Sequence, residues 1–422
     1  MDLPIRFQFI PYPLWRRRGL ARLRGLLRRF TAADADAQPP ATPAHMAHYL
    51  TRWGILPDGM NSAAARDALA AARPDVAAAP PASQAASFDG PIRLPAQWEP
   101  VEAVILAWPA LYPPLWKAAA EIAEAISPVA RVDILVNDPL WAAAVWLFLE
   151  RRGLAKLDQI RFVYLPTNDI WVRDYGPFVG FRPDGSRAAL DAIYDPLPAY
   201  PAGRDDAMPR RYGALQGIPV RTLDLHTEGG NFWSDGQGTL FASVGIYGRN
   251  PHLSRAEVEQ RLHEAFSFDR LLVTDPLWSE ETGHIDLVMK LADSQTILIN
   301  PPSTPFNRQR LQRAKALLGG ELSANGQPYR LLELPMPPPY LNWGVYPVWR
   351  SYTNSLTVNG RVLLPVFRVG HDARALALYQ NALPDFEIVP VDCSQTANGG
   401  GAVHCLTKEV PSAECRVLST EC

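Results

Sequence analysis

Five short polar segments, spaced about 50 to 70 residues apart, constrain the fold of this chain more than any other feature of its sequence. Each segment places a charged or polar residue on a glycine-rich turn or at the end of a predicted strand, where rigid scaffolds usually carry functional groups. Spacing close to one structural module indicates a pseudo-repeat, in which each module contributes one group to a central site. The segments cover residues 168–177, 228–238, 283–286, 351–354 and 399–405.

The sequence between these segments alternates between strand and helix patterns. Apolar runs predict buried strands at residues 104–108, 132–136 and 161–165. Helical patterns cover residues 115–126 and 140–151. The chain is therefore expected to belong to the α/β class.

Turn signals narrow the fold class further. Residues 183–185 and Asn359-Gly360 predict two hairpins, and Ser254 followed by Glu257 predicts a capping box at the start of a helix. This mixture of hairpins and strand–helix units fits neither a plain Rossmann sheet nor a TIM barrel. GxGxxG, GxSxG and Walker A strings are absent from the sequence, so the chemistries that need those loops are not predicted.

The charge of the chain is divided unevenly. Its 41 Lys and Arg and 43 Asp and Glu leave a formal net charge of −2, which argues against nucleic-acid binding through bulk charge. Residues 1–30 hold eight Arg and one Asp, so the remainder carries about −9. Leu and Arg alternate at near-helical spacing over residues 14–30, which predicts a short basic amphipathic helix. We interpret it as a solvated arm, with contact to an anionic surface or partner as the alternative.

Residues 31–90 are rich in Ala, Pro, Asp and Ser and are predicted to form a linker with one helix near residues 63–72. Ordered structure is expected to begin near Pro91, which divides the chain into residues 1–90 and a main domain over residues 91–422. No apolar run approaches the ~20 residues of a membrane span. The four Cys lack the spacing of a zinc site or a disulfide scaffold, which predicts a reducing, cytoplasmic compartment.

Cys405 is the strongest candidate for a nucleophile. It follows three glycines that allow close approach of other backbone, and it begins an apolar run. A small core residue is the equally weighted alternative. His404 is predicted to have a structural role, because neighbouring side chains of an extended segment point to opposite faces.

Three other segments supply an imidazole and carboxylates. His284 and Asp286 are two residues apart and would share one face of a strand, which suits proton transfer beside a carboxylate or ligation of a metal. Asp174 follows an Arg, so a structural ion pair is its alternative, and Glu228 precedes two glycines, so a turn acid is its alternative. Each alternative is reasonable alone, and the joint occurrence of the four residues carries the argument.

A thiol, an imidazole and three carboxylates together predict chemistry on a cation. A guanidinium group is planar, permanently charged and suited to bidentate pairing with carboxylates. Two acids that face it would hold its nitrogens and direct its carbon at a thiolate.

The motifs in these segments resemble those of a known family. They read Trp-x-Arg-Asp-x-Gly-Pro, Glu-Gly-Gly, Gly-His-x-Asp, Ser-Tyr-x-Asn and Gly-Gly-x-x-His-Cys, in that order. Over residues 95–411 the chain resembles the guanidine-modifying pentein superfamily, specifically the Porphyromonas-type peptidyl-arginine deiminase and agmatine deiminase family. The resemblance implies a five-bladed pseudo-symmetric α/β propeller with a poorly ordered N-terminal extension. It also implies hydrolysis of a guanidinium group to a ureido product and ammonia without metal or cofactor, as in putrescine biosynthesis.

The resemblance further implies a role for each residue. Cys405 matches the nucleophile, and His284 matches the general acid and base. Asp174 and Asp286 match the carboxylates that hold the guanidinium, and Glu228 matches an acid that supports the histidine. The residues expected to bind substrate are Asn354 beside the nucleophile, Trp171 and Trp108 along the aliphatic arm, and Arg173 and Asp169.

The substrate stays open between agmatine and peptidyl-arginine. Asp169 and Glu228 resemble the agmatine branch, but Tyr175 departs from it by replacing the Thr usual there. Residues 203–209 look more like the peptidyl-arginine branch. Two other functions remain as alternatives: a catalytically silent guanidinium-binding homologue, and a metal-dependent hydrolase that uses His284, Asp286 and Cys405. The oligomeric state is not predicted.

Overall fold

A computed structural model describes residues 40, 42–55, 60–110, 112–195, 202–280, 282–342 and 346–413. The predicted basic helix over residues 14–30 and the cysteines at 415 and 422 lie outside the described residues. No helix of the described ranges is long and apolar enough to cross a bilayer.

The described chain is a mixed α/β structure. Its strands are β1 Val76–Ala78, β2 Val101–Ala107, β3 Arg131–Val136, β4 Ile160–Tyr164, β5 Phe178–Phe181, β6 Arg187–Ile193, β7 Val220–His226, β8 Phe232–Ser234, β9 Thr239–Ser243, β10 Arg270–Thr274, β11 Met289–Leu291, β12 Thr296–Ile299, β13 Arg330–Glu333, β14 Tyr340–Asn342, β15 Tyr346–Val348, β16 Leu356–Val358, β17 Arg361–Val366, β18 Glu387–Asp392 and β19 Thr407–Pro411. Its helices are α1 Pro43–Arg52, α2 Ser62–Ala71, α3 Trp116–Ile126, α4 Pro139–Arg151, α5 Val172–Tyr175, α6 Gly203–Asp206, α7 Met208–Gln216, α8 Gly245–Arg249, α9 Arg255–Ala265, α10 Arg308–Gly320 and α11 Asp372–Ala382.

Four three-stranded sheets share one connection pattern. In the sheet of β5, β6 and β7, the first two strands are antiparallel, and the third returns parallel to the second after a helical connection. The same order of pairing holds for β8–β9–β10, for β11–β12–β13 and for β16–β17–β18. A repeated module of two strands, helix and strand therefore accounts for most of the main domain.

A fifth sheet joins the two ends of this domain. The C-terminal strand β19 lies antiparallel to β2, and β2 is parallel to β3 across the crossover helix α3. The sheet continues through β4 to β1 at its edge. The module is thus completed by strands from opposite ends of the sequence.

The strand, helix, capping-box and hairpin predictions in the main domain are confirmed. Strands β2, β3 and β4 and helices α3 and α4 cover the predicted segments to within a few residues. Ser254 and Glu257 form the predicted capping box at the start of α9. The hairpin between β16 and β17 turns through Asn359 and Gly360 with φ of 41° and 81°, the left-handed conformation that an Asn-Gly turn requires.

The prediction that order begins near Pro91 is wrong. The helix predicted near residues 63–72 is present as α2, but α1 precedes it and β1 extends the first sheet. Met46, Leu50 and Leu69 are each at most 2 % exposed, in a cluster that includes the side chains of α4. Helix α4 is apolar on nearly every face, so α1 and α2 cover apolar surface of α4 that water would otherwise contact. The Ala-rich composition of residues 31–90 gives no indication that these three apolar side chains are buried.

Candidate active site

The five polar segments occupy equivalent places in the fold. Each lies a few residues before the first strand of a repeated module: Asp174 before β5, Glu228 before β8, His284 before β11, Asn354 before β16 and Cys405 before β19. The spacing in the sequence therefore has a structural cause, since each module carries one segment at the same end of the corresponding strand.

Cys405 lies in a buried turn that Asn354 holds in place. The side-chain Oδ1 of Asn354 accepts hydrogen bonds from the backbone N–H groups of Ala402 at 3.0 Å and Cys405 at 3.4 Å. Its Nδ2 lies 3.1 Å from the Cys405 Sγ. A Cβ at Gly401 would lie 2.6 Å from the ring of Trp171 and 3.0 Å from the Cys405 Sγ, so glycine allows this indole to approach the sulfur.

Asp286 links Cys405 to His404. Its Oδ2 accepts hydrogen bonds from Asn354 Nδ2 at 2.9 Å and from His404 Nδ1 at 2.7 Å, and it lies 3.7 Å from the Cys405 Sγ. The His404 ring stacks on Trp233, with centroids 4.6 Å apart and planes at 27°. His404 therefore positions the carboxylate of Asp286. Among the described residues, it forms no hydrogen bond to the Cys405 sulfur.

His284 lies between two other carboxylates. Its Nε2 is 2.8 Å from an oxygen of Glu228, and its Nδ1 is 3.6 Å from an oxygen of Asp174. Arg249 donates to the second oxygen of Glu228. A Cβ at Gly230 would lie 2.4 Å from the His284 Nδ1, so only a residue without a side chain at this position leaves room for the imidazole.

Two details of the local backbone differ from prediction. His284 and Asp286 do not share a strand face: His284 caps a single helical turn, Ile285–Leu287. The turn sends His284 toward Glu228 and Asp174 and sends Asp286 toward Cys405. Residues 403–406 likewise form a turn instead of an extended segment, although His404 still contacts Asp286 and not the sulfur.

Asp174 and Asp286 each keep one oxygen without a hydrogen-bond partner among the described residues. These atoms are the Oδ1 of Asp174 and the Oδ1 of Asp286, and both are inaccessible to solvent. The Asp174 Oδ1 is the oxygen that lies 3.6 Å from the His284 Nδ1, which is too long for a hydrogen bond. Buried carboxylate oxygens nearly always accept hydrogen bonds, so two such oxygens near a thiol are suited to binding a group with several N–H donors.

The charges of the site act on one another. Burial raises the pKa of Asp174 to about 7 and that of Asp286 to about 6. Burial alone would lower the pKa of His284, but the charges of Asp174, Glu228 and Asp286 outweigh it and raise that pKa to about 10. Burial, with the charges of Asp286 and Asp174, holds the pKa of the Cys405 thiol well above its usual value. At neutral pH the site therefore holds a neutral thiol at Cys405 and an imidazolium at His284.

The residues expected to bind substrate are only partly brought together. Asn354 and Trp171 contact the Cys405 turn, as described above. The Trp108 ring packs against Trp116 and Phe148 in an aromatic cluster. The Asp169 side chain accepts from the backbone of Ile170, and burial raises its pKa to about 6.

Arg173 points away from the site. Its guanidinium is bonded to Glu409 and to the carbonyl oxygen of His404. This differs from the expectation that Arg173 binds substrate, and the reason is the helical turn α5, which directs consecutive side chains to different sides. Asp174 consequently faces His284, and the alternative of an Arg173–Asp174 ion pair is not realised.

Two residues near the site carried no signal in the sequence. Arg249 ends α8 and compensates the charge of Glu228, and Trp233 in β8 supports His404. Arg249 lies outside the five polar segments, and Trp233 lies within residues 228–238 but is not one of the polar residues of that segment. Arg249 contacts Glu228 within one module, whereas Trp233 contacts His404 of a module that is distant in sequence. Only the folded arrangement reveals them.

The residues of the site do not suit a metal ion. Among the described residues, no group of three or more His, Cys, Asp and Glu side chains is arranged to hold one. His284 and Asp286 are directed to different partners. The alternative of a metal-dependent hydrolase is therefore not favoured.

Comparisons with known proteins find relatives that are similar over most of the chain. The chain is 29 % identical over 353 residues to the agmatine deiminase of Pseudomonas aeruginosa, covering 76 % of this chain and 95 % of that protein. It is 29 % identical over 357 residues to the agmatine deiminase of Ectopseudomonas mendocina, covering 76 % and 96 %. The solved structure of the Enterococcus faecalis agmatine deiminase has the same fold, with a TM-score of 0.68 at 23 % identity over 78 % of this chain and all of that one.

A family profile covers nearly the whole main domain. The profile of the Porphyromonas-type peptidyl-arginine deiminases matches residues 93–411, which include all five modules and all five polar segments. The chain belongs to the Porphyromonas-type peptidyl-arginine deiminase family.

Proposed function

We propose that this protein hydrolyses the C–N bond of a guanidinium group and releases ammonia and a ureido product. The observation that carries the proposal is the pair of buried carboxylate oxygens of Asp174 and Asp286 that accept no hydrogen bond from the described residues, next to the thiol of Cys405. A guanidinium group is planar and its N–H donors point outward in that plane, so two carboxylates can bind it along different edges.

Binding positions the carbon that reacts. The guanidinium nitrogens donate to the Oδ1 atoms of Asp174 and Asp286. Because Asp286 lies 3.7 Å from the Cys405 Sγ, a guanidinium held there has its central carbon within reach of the sulfur. Trp171 covers the same turn and lies along the aliphatic arm of the substrate.

The substrate also activates the nucleophile. The charges of Asp286 and Asp174 add to burial in raising the pKa of the Cys405 thiol. A bound cation offsets those charges, lowers the thiol pKa and favours attack by the thiolate. The thiolate then forms a C–S bond to the guanidinium carbon.

His284 moves the protons. As an imidazolium held by Glu228 and Asp174, it donates a proton to the departing nitrogen, and ammonia leaves a thiouronium on Cys405. The neutral imidazole then accepts a proton from water, which attacks the same carbon and breaks the C–S bond. The ureido product is neutral, so the two carboxylates hold it less well than they hold the substrate.

The repeated modules support a more specific fold. We infer that they form a five-bladed pseudo-symmetric propeller with the polar segments at its centre, because each module carries one segment at the same end of its first strand. The pairing of β19 with β2 closes the ring. Residues 43–78 cover one blade, so we place them with the main domain.

Agmatine and arginyl peptides are the substrates to test first. The curated relatives named above are agmatine deiminases, whereas the family profile is named for peptidyl-arginine deiminases. We propose agmatine as the better substrate because those relatives align over nearly their whole length. Ammonia release should be measured with agmatine, free arginine and arginyl peptides, with Cys405→Ala as the control. Release from none of them would contradict the proposal.

A further inference from the structure

A small polar cavity lies behind the wall of the site. Its volume is about 60 Å³, and its lining includes Arg173, His404, Lys408, Glu409, Phe178 and Trp233. Arg173 is followed by Asp174 and His404 by Cys405. Asp174 and Cys405 belong to the site, whereas Arg173 and His404 line the cavity. The backbone at these two places therefore lies between the acidic site and the cavity.

The two cations near the cavity other than Lys408 have hydrogen-bond partners. Arg173 is bonded to Glu409, the acid of the cavity lining. The neighbouring ammonium of Lys290 is bonded to the Gln97 side chain and to the carbonyl oxygen of Ser355. These pairs account for two of the three buried cations of this region.

Lys408 is the third cation, and it is not compensated. It is 5 % exposed, and its Nζ lies 4.4 Å from the centroid of the Phe178 ring. It donates a hydrogen bond to no acceptor in the part of the chain that the structure describes. Burial, followed by the charge of Arg173, lowers its pKa to about 7, against the weaker pull of Glu409 and Asp174. The Nζ keeps access to the cavity, and it meets no acceptor from the described residues, so its partner must come from the cavity as water or an anion.

We propose that this cavity binds one small monovalent inorganic anion, such as chloride, held by the ammonium of Lys408 beside the guanidinium of Arg173. The volume is enough for an anion of this size with one or two waters, since a water needs ~10–15 Å³ of such space. It is too small for a nucleotide or a sugar phosphate. Because Arg173 already neutralises Glu409, the anion meets a net positive charge.

The competing arrangement is a neutral Lys408 amine with water alone in the cavity. The two arrangements respond differently to pH. An anion binds the ammonium form of Lys408, so the affinity for the anion should increase as the pH falls below 7. A cavity that contains only water should show no dependence on the identity of the salt at any pH. The other charged or titratable groups that face Lys408 are Arg173, Glu409, Asp174 and His404.

The test uses the full chain with sodium bromide or chloride against sodium gluconate at equal ionic strength. We expect the Tm to rise with halide by roughly 2 °C per tenfold concentration above the Kd, and more at pH 6.5 than at pH 8.5. Crystals grown in bromide should show an anomalous peak within hydrogen-bond distance of the Lys408 Nζ. The halide response should vanish in Lys408→Met, which keeps the length of the side chain. It should persist in Lys117→Met, whose side chain is 56 % exposed.

Three results would overturn the proposal. They are a Tm that depends only on ionic strength, a cavity that contains water but no anomalous peak, and a halide response that Lys408→Met retains. A peak without a Tm response, meaning binding at crystal concentration only, would also count against a site that works in solution. If Lys408→Met does not fold, the bromide crystals and the salt titration of the unchanged protein decide the matter. None of these outcomes depends on deimination.

Discussion

Replacing Asp286 with Asn removes one charge from the site while preserving its contacts. The Oδ2 of Asp286 accepts from Asn354 and His404, and its Oδ1 has no hydrogen-bond partner among the described residues. In Asp286→Asn the amide oxygen can keep both hydrogen bonds, and the NH₂ group takes the position of the free oxygen. The substitution thus tests the charge that we assign to guanidinium binding, with little change in packing.

We expect Asp286→Asn to lower activity and to raise stability. Loss of one partner from a buried ion pair costs about 2–5 kcal/mol, so kcat/KM should fall by about 30-fold to several thousand-fold. Burial raises the pKa of Asp286 from 3.8 to about 6. The folded state therefore binds this proton more tightly than the unfolded state, and the ionised carboxylate costs about 3 kcal/mol of stability above pH 6. That cost appears as the pH rises from about 4 to about 6, and Asp286→Asn should remove part of it.

Ammonia release and thermal unfolding at pH 7.5 measure the two effects. Asp133→Asn is the matched control, because Asp133 is a fully buried carboxylate bonded to Arg161 and Tyr212 and is hydrogen-bonded to none of the site residues. We expect Asp133→Asn to lower the Tm and leave KM nearly unchanged, and Asp286→Asn to do the reverse. Unchanged kcat/KM in Asp286→Asn would refute the assignment of this carboxylate to the cation.

Three further substitutions test the remaining parts of the account. Glu228→Gln removes one of the charges that raise the pKa of His284, so the alkaline limb of the kcat–pH profile should move to lower pH; an unmoved limb would assign that limb to another group. His404→Asn keeps a donor to Asp286 and should retain activity within about tenfold. His404→Leu removes that donor, so the pKa of Asp286 should rise and the acid limb of the kcat–pH profile should move to higher pH. Equal profiles for the two variants would show that His404 does not support Asp286 in this way. Deletion of residues 1–78 should lower the Tm by several degrees, because it exposes apolar surface; an unchanged Tm would show that this segment adds no stability.

The sequence predicts the site better than the surroundings of the site. Cys405, His284, Asp174 and Asp286 stand in recognisable motifs, and the spacing of those motifs reflects one repeated module. The backbone between them was harder to predict. A strand face for His284 and Asp286 is a reasonable expectation from alternation alone, but Gly283 and one helical turn separate the two side chains.

Long-range contacts account for what the sequence could not show. Arg173 was expected to bind substrate, yet its partner is Glu409, which is 236 residues away. The N-terminal segment reads as a linker because Ala and Pro dominate it, while its folding depends on a few apolar side chains that meet α4. Such pairings follow from tertiary packing, which overrides local composition.

Covalent attachment of substrate to Cys405 is the central claim, and mass spectrometry during turnover tests it most directly. Acid-quenched protein should carry an adduct with the mass of the substrate less ammonia, on the peptide that contains Cys405. Cys405→Ala should carry no adduct and release no ammonia. Ammonia release by Cys405→Ala, or an adduct on a different residue, would contradict the account.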